Sequence, residues 1–204
     1  MSNGLKVKKR NGRGVEPLDL DKIHVMAEEA CKGLAGVSAS QVEIQSGIQF
    51  YDGITTAEIQ EILIKSASDL ITLDNPNYQF VAARLLLFAQ RKSLFGKIWE
   101  FPTLENHIYT CVNKEVYDDS IYSKYSKEDI EKADGYIDHD RDFLFTYAGL
   151  RQVVDKYLVQ DRSEGKVYET PQFMYMMIAL TIFAEYPKEK RLNYVRRYYD
   201  AISK

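Results

Sequence analysis

The sequence predicts a mainly α protein, in which a unit of about four helices under a small β-hairpin lid precedes a second helical segment with one further β-hairpin and no barrel. Three observations lead to this fold class. Apolar residues recur at spacings of three and four along most of the chain. Helix-capping residues precede several of these stretches. Short strand-like pieces occur only beside two glycine-containing turns. We place the domain boundary near Gly96, between 1–96 and 97–204, because Trp99 to Pro102 breaks the helical pattern.

The first hairpin is predicted from the pair Asn11-Gly12, which lies between short strands around Val7 and Val15. Asp19 is placed to cap the first helix. One face of that helix is apolar, at Ile23, Met26, Ala27, Ala30 and Leu34.

Two further helix starts in the first unit carry the spacing of a capping box. Ser40 with Glu43 opens a short helix, and Thr55 with Glu58 opens a longer one. Thr56 then takes the first helical position, where its hydroxyl and the free N–H groups of the helix start can meet a ligand.

The last helix of the first unit is predicted to start at Asn75-Pro76, with proline at the first helical position. Its apolar face includes Phe88, and Lys92 follows one turn later. We expect the Lys92 ammonium group to end near the first hairpin.

The second segment is predicted to be helical again, with one hairpin around Glu164-Gly165. Ser126 and Asp129 form another capping pair, and Thr170-Pro171 opens a helix that is apolar on most sides and should lie at the centre of a second core. The predicted helices cover 102–116, 126–137, 143–157, 170–183 and 189–202, and the hairpin covers 159–168.

The net charge of the chain is small, but the basic residues are unevenly distributed along the sequence. The 204 residues carry a net charge of −3, which gives no reason to expect a nucleic-acid or membrane surface. Basic residues nevertheless crowd the first hairpin, at Lys6, Lys8, Lys9, Arg10 and Arg13. This excess favours an anionic ligand, although a solvated edge hairpin protected by lysines explains it as well.

The two cysteines, Cys31 and Cys111, lie far apart without metal or redox spacing, and we expect reduced, buried thiols. The N-terminus lacks the apolar core of a signal peptide, and the longest apolar run, Phe173 to Phe183, is too short to span a bilayer. These features lead us to expect a cytoplasmic protein.

No catalytic set emerges from the residues. The run His139-Asp140-Arg141-Asp142 offers one histidine beside two aspartates, without a second ligand pair, and is better interpreted as a structural salt-bridge cluster than as a metal site. There is no glycine-rich phosphate loop and no nucleophile with a recognisable base.

Long segments of the chain resemble a known family. VKKRNGRGVEPLDLDKIH, SQVEIQSGIQFYDGITTAEIQEILIKSASDLI and NYQFVAARLLLFAQRKSLFG resemble the ATP-cone at the start of the large (alpha) subunit of class I ribonucleotide reductase. YIDHDRDFLFTYAGLRQVVDKYLVQDRSEGKVYETPQFMYMMIAL and RLNYVRRYYDAIS resemble the helical region that follows it, and the likeness to phage members suggests a phage origin.

The resemblance implies an allosteric site for ATP as activator or dATP as inhibitor, with Mg²⁺. Lys9 and Arg10 would contact the phosphates or the lid, and Thr56 and Lys92 would hold phosphate. Glu16 and the segment through Lys22 would line the nucleoside side. Apolar walls would come from Val7, Ile23 and Phe88, for which core packing is an alternative.

Two departures from the family concern the same site. Gln60 and Ala89 stand where members under tight dATP control carry histidines, and Glu58 replaces an expected aspartate. We therefore expect ATP binding with weakened or absent dATP inhibition.

The resemblance stops before the family's catalytic barrel, and neither cysteine falls in its active-site motifs. We expect a regulatory piece that cannot reduce a ribonucleotide alone, whose partners are the catalytic remainder of the large subunit and the small (beta) subunit. Two alternatives are a stand-alone nucleotide sensor or decoy acting on a host reductase, and a helical interaction module whose cone has lost its ligand.

Overall fold

The structure, a computed structural model, describes residues 4–9 and 14–204. It is mostly helical, at 60%, with small sheets of few strands, and the described residues form no barrel, as the sequence predicts. The chain divides into two compact units. The first comprises the chain up to Ala89 together with Phe145–Arg151, and the second comprises Gln90–Leu144 and Gln152–Lys204. The boundary near Gly96, proposed above for the domains, stays a prediction.

The first unit combines a small sheet with helices. Its elements are β1 (Lys6–Lys8), β2 (Val15–Pro17), α1 (Leu20–Cys31), α2 (Ala39–Gly47), β3 (Ile54–Thr55), α3 (Thr56–Asp69), the first part of α4 (Tyr78–Phe95) and the first half of α8 (Tyr147–Lys156). The sheet order is β2-β1-β3, with β1 antiparallel to β2 and parallel to β3. The predicted antiparallel pairing is therefore confirmed, while the Asn11-Gly12 turn lies outside the described residues.

Side chains of α4 hold the ends of its neighbouring helices. The Tyr78 hydroxyl donates to Gln41 Oε1 at 2.5 Å and accepts from the backbone N–H of Ser38 at 3.0 Å, at the start of α2. Arg84 donates to the carbonyl oxygens of Ala30 and Lys32, at 3.1 and 2.6 Å. A guanidinium group suits that place because the last carbonyls of a helix lack intrahelical donors.

The predicted caps of the first unit are partly right. Asp19 caps α1 through two backbone N–H groups, and Thr55 with Glu58 forms the predicted capping box of α3. The capping box at Ser40 is wrong, because Ser38 caps α2 and accepts from the Gln41 N–H at 3.4 Å.

The predicted helix start at Asn75-Pro76 is also wrong. The chain at Pro76 and Asn77 forms a turn, and α4 begins at Tyr78. Asn77 is engaged elsewhere, since its side-chain amide donates to Ala35 O at 2.8 Å.

The second unit is built from shorter helices and one hairpin. Its elements after α4 are α5 (Leu104–Asn113), α6 (Ile121–Lys124), α7 (Lys127–Asp134), a 3-10 helix (His139–Leu144), the second half of α8 (Tyr147–Lys156), β4 (Gln160–Asp161), β5 (Lys166–Val167), α9 (Pro171–Ile182) and α10 (Lys188–Ile202). The Ser126-Asp129 capping box and the antiparallel β4/β5 hairpin are confirmed.

Helix α9 lies at the centre of the second core, as its apolar sequence predicts. Phe173, Met176 and Leu180 are fully buried among side chains of α5, α7 and α10. None of the helices in the described part of the chain combines the length and apolarity that a bilayer crossing needs.

Beside this core, a polar network is sealed from solvent. Arg91 and Asp142 have fully buried side chains and form an ion pair of 3.0 Å between Nη2 and Oδ2. Gln172 donates to the other oxygen of Asp142 at 3.0 Å, and the Tyr199 hydroxyl donates to Gln172 Oε1 at 2.6 Å. The expected salt-bridge cluster is thus present, with Arg141 pairing to Asp200 at 2.8 Å in addition.

Candidate functional site

One face of the small sheet carries both apolar and charged residues. Val7 in β1 and Ile54 in β3 are opposite each other and buried. Glu16 in β2 is opposite Val7 and shares this face. Lys9 follows Val7 by two residues, so it points to the same side. The Lys9 ammonium group lies 2.8 Å from Glu16 Oε2, with both side chains partly exposed, so the rim of an otherwise buried face is charged.

The parallel pairing of β1 with β3 brings Lys9 towards the start of α3. Val7 pairs with Ile54 and Lys8 with Thr55. The last pair of this register is Lys8 with Thr55, so Lys9 follows it directly on one chain segment and Thr56, the first residue of α3, follows it directly on the other.

The turn before β3 is tied to β1 by two hydrogen bonds. The Lys6 N–H donates to Asp52 Oδ1 at 2.8 Å, and the Gly53 N–H donates to the Lys6 carbonyl at 2.8 Å. Gly53 has a φ of 83°, a left-handed conformation that favours glycine. Strand β3 was not predicted, because two residues are too few to show an alternating pattern. The Asp52-Gly53 turn before the capping box is the feature of the sequence that could have indicated it.

The first turn of α3 is held firmly. The Thr55 hydroxyl accepts from the Glu58 N–H at 3.1 Å, while Glu58 accepts from the Thr55 N–H at 2.8 Å and from the Tyr51 hydroxyl at 2.8 Å. These hydrogen bonds, with Thr55 foremost, lower the pKa of Glu58. Glu58 is therefore an ionised carboxylate that is hydrogen-bonded at the start of α3, and Thr56 is the first helical residue.

Charged residues alternate in sign between the first hairpin and the start of α1. The hydrogen bond from Lys9 lowers the pKa of Glu16, and the nearby Lys22 acts in the same direction. Lys22 itself pairs with the cap residue Asp19 at 3.2 Å, which raises the pKa of Lys22. Lys9, Glu16 and Lys22 thus form one electrostatic cluster.

The other predicted site residues are placed as follows. Val7, Ile23 and Phe88 are buried as core residues are, so their part in a ligand pocket stays a prediction. Lys92 is exposed in the last turn of α4 and belongs to the second unit, so its contact with a ligand also stays a prediction. Arg10 lies outside the described residues.

Gln60 and Ala89, the two positions that depart from the family pattern, are both buried in the first unit. Neither presents an imidazole.

Metal-ligating side chains and thiols are both present in the described part of the chain. No group of three or more metal-ligating side chains forms among residues 4–9 and 14–204. Cys31 and Cys111 are both free, and burial raises the pKa of each thiol to about 11. Cys111 is buried as expected, whereas Cys31 is only half-buried.

Comparison with known protein families finds a match for two parts of the chain. The model of the ATP cone domain matches residues 5–93, which contain the sheet, the Lys9–Glu16 pair and the α3 start. The model of the ribonucleotide reductase all-alpha domain matches residues 143–204. The chain is homologous to the N-terminal region of class I ribonucleotide reductase alpha subunits.

Full-length reductase alpha subunits confirm this relation. The chain is 48% identical over 203 residues to ribonucleoside-diphosphate reductase 1 subunit alpha of Salmonella typhimurium, covering 100% of this chain and 26% of the relative. The Escherichia coli protein of the same name is 47% identical over the same shares. The alpha subunit of Enterobacteria phage T4 is 44% identical over 170 residues, 82% of this chain and 22% of the relative. The chain thus spans about a quarter of the length of these reductase subunits.

Proposed function

We propose that the chain is the allosteric, nucleotide-binding part of a class I ribonucleotide reductase large subunit, with ATP or dATP as its effector. The observation that carries the proposal is the β1/β3 register, whose last pair, Lys8 with Thr55, directly precedes Lys9 on one side and Thr56, at the start of α3, on the other. A helix N-terminus with a neighbouring cation favours a phosphate group, since free N–H groups and the helix dipole both attract negative charge.

The remaining predicted residues would complete such a site. The triphosphate would lie at the α3 start, held by Lys9, Thr56 and Lys92, with Mg²⁺ neutralising part of its charge. Glu16 and Lys22 would face the nucleoside, with Val7, Ile23 and Phe88 as its apolar surroundings. The Lys9–Glu16 pair is accessible to solvent, so Lys9 can exchange its carboxylate partner for a phosphate without opening the core.

We further propose that the site binds dATP with little inhibitory effect. Gln60 and Ala89 replace histidines of the tightly controlled members, so imidazole donors beside the ribose and phosphates are missing. Discrimination between ATP and dATP depends on one hydroxyl, and a missing hydrogen bond to such a group costs a large factor in affinity.

The chemistry of nucleotide reduction would lie in the partner polypeptide. Both thiols of this chain have a pKa raised to about 11, so neither is activated as a thiolate at neutral pH. We propose that the chain acts together with the catalytic remainder of a large subunit and with a small subunit. This role retains the cytoplasmic location expected from the sequence and places the protein in deoxyribonucleotide synthesis for DNA replication.

The test is a calorimetric titration of the chain with ATP and with dATP in the presence of Mg²⁺. Saturable binding that a Lys9→Ala, Lys92→Ala variant loses supports the site. Lys65→Ala, which removes an exposed lysine from the outer part of α3, is the matched control and should bind as the unchanged chain does. A folded chain that binds neither nucleotide would refute the proposal.

The proposal on dATP needs the assembled enzyme. Reductase activity reconstituted with a catalytic chain and a small subunit should resist dATP, and Gln60→His with Ala89→His should increase its sensitivity. Strong inhibition of the unchanged enzyme by low dATP concentrations would contradict the proposed effect of these two residues.

A further inference from the structure

A cavity of about 380 Å³ lies wholly within the second unit, and all of its lining residues follow the part of the chain that the ATP cone model matches, residues 5–93. It is bordered by the segment 95–102, by α5 and by Tyr168 after β5. Its volume lies within the range of small-molecule sites, roughly 300–1,000 Å³. Nothing in the proposed function uses this cavity.

The apolar walls of the cavity are aromatic and fixed. The rings of Phe95 and Phe101 meet edge to face, with centroids 6.0 Å apart. Phe101 also stacks on His139 at 3.7 Å, and the Arg91 guanidinium lies 4.7 Å from the Phe101 centroid. Because aromatic rings favour offset or edge contacts with other rings, these walls suit a flat aromatic ligand.

The cavity mouth has an excess of positive charge. Lys114, which borders the cavity, and Lys166 approach the Tyr168 ring, at 5.7 and 5.5 Å from its centroid. Lys97 is neutralised by Glu100 at 2.6 Å. Lys114 forms no ion pair within the part of the chain that the structure describes. An anionic group can therefore take Lys114 as its partner.

The inner wall is polar but unreactive. Tyr117 donates its hydroxyl hydrogen to Glu169, so the nearby His107 Nε2, at 3.2 Å, carries the hydrogen and donates to the Tyr117 oxygen. Burial lowers the pKa of His107 to about 4, so the ring is neutral at pH 7. Burial raises the pKa of Cys111, beside it, to about 11. A neutral imidazole and a protonated thiol favour binding over catalysis at this wall.

We propose that this cavity is a second binding site, which takes a small planar anion: one aromatic ring that carries a phosphate or carboxylate group. The ring lies against Phe95 and Phe101, and the anionic group meets Lys114 at the mouth. The proposal is independent of nucleotide binding by the first unit, because every residue that lines the cavity lies in the second unit.

The single tryptophan gives a local readout. Trp99 lies between the lining residues Lys97 and Glu100 and is half exposed. Its fluorescence in the full chain should change saturably with phenyl phosphate. Inorganic phosphate and benzyl alcohol, which each supply half of the ligand, should require concentrations at least about tenfold higher. No saturable change with phenyl phosphate, or equal binding of inorganic phosphate, would overturn the proposal.

Substitutions assign the signal to the cavity. Lys114→Met should weaken phenyl phosphate binding by about fivefold, since it removes the charge and keeps the side-chain length. Lys132→Met, at an exposed lysine of the same unit that does not line the cavity, is the matched control. Thr110→Phe should block the mouth, with circular dichroism to show that the variant folds. The ligand would lie elsewhere, and the proposal would be overturned, if neither Lys114→Met nor Thr110→Phe affected binding. Loss of binding in the Lys9→Ala, Lys92→Ala variant would have the same meaning.

Discussion

Lys9 and Glu16 meet across strands β1 and β2 with 2.8 Å between Nζ and Oε2, on the face of the sheet that also carries the buried Val7. Both side chains are more than a third exposed, so solvent screens this ion pair and it contributes little to stability. A weak pair at the rim of a buried face suits a ligand site, because a phosphate group can replace the carboxylate at small cost.

Glu16→Gln is expected to change the relative affinities of the site for inorganic tripolyphosphate and for ATP. Without the carboxylate, Lys9 and Lys22 attract a polyphosphate more strongly, so inorganic tripolyphosphate should bind up to about fivefold tighter. ATP should gain less, since Glu16 is proposed to face the nucleoside. Calorimetric titrations with both ligands give the ratio of affinities. Glu61→Gln, at an exposed position of α3, should leave the ratio unchanged, and an unchanged ratio in Glu16→Gln would remove Glu16 from the site.

Two neighbouring threonines should have separable roles. Thr55→Ala removes the capping hydroxyl of α3 and should lower the free energy of unfolding by about 1 kcal/mol. Thr56→Val removes a hydroxyl that caps nothing and keeps the branched shape. It should change stability by less than about 0.5 kcal/mol but lower ATP affinity by about tenfold, as for a lost hydrogen bond to a charged group.

Thermal unfolding followed by circular dichroism and calorimetric titration with ATP separate the two effects. Thr55→Ser keeps the capping oxygen and should restore most of the stability. If Thr56→Val binds ATP normally, Thr56 has no part in phosphate binding, and the α3 start acts through its backbone alone.

Local chemistry makes the helix caps predictable from the sequence. Asp19 and the Thr55-Glu58 box cap helices as predicted, because a side-chain oxygen there meets N–H groups only two or three residues away. The prediction at Ser40 is wrong because Ser38 offers the same chemistry two residues earlier, and residue type does not choose between them. Strand β3 was missed because its pairing with β1 joins residues 47 apart, Val7 with Ile54.

The buried ion pair between Arg91 and Asp142 also joins residues that are distant in the sequence, and its pairing was not predicted. The polar run around Asp142 indicated salt bridges, but the partner lies 51 positions away on α4. Distant pairings depend on the folded chain, so the basic hairpin and the helix start at Thr56 indicated an anionic ligand, whereas the assignment of residues to a nucleotide came from the resemblance.

Acid should destabilise the second unit through His107. Burial lowers the pKa of His107 to about 4, below the ordinary value near 6.5. The folded state therefore favours the neutral ring. The contribution of His107 to the free energy of unfolding is fully present above pH 6.5 and is lost as the pH falls towards 4. The loss should reach about 3 kcal/mol. His139, whose pKa is also lowered to about 4 by burial, adds to it in the same direction.

Urea unfolding monitored by Trp99 fluorescence between pH 7.5 and 4.5 measures this loss. His107→Gln retains a donor towards Tyr117 but cannot take up a proton, so it should flatten the dependence. His24→Gln is the control of opposite sign, since the hydrogen bond to Glu43 raises the pKa of His24 and its stabilisation is lost as the pH rises. An unchanged pH profile in His107→Gln would show that the ring is not buried as a neutral group.

Arg91→Met should be strongly destabilising, because among the described residues it leaves the buried Asp142 carboxylate with Gln172 as its remaining side-chain partner. Removing one member of a buried pair costs about 3–5 kcal/mol. Adding Asp142→Leu should recover much of that loss, since an apolar pair carries no desolvation penalty. Arg196→Met breaks an exposed pair with Asp200 at 4.0 Å and should cost no more than about 1 kcal/mol. Urea unfolding monitored by Trp99 fluorescence compares the stability of the three variants. If the double variant is as unstable as Arg91→Met, the packing of the Arg91 side chain, rather than its charge, stabilises this part of the second unit.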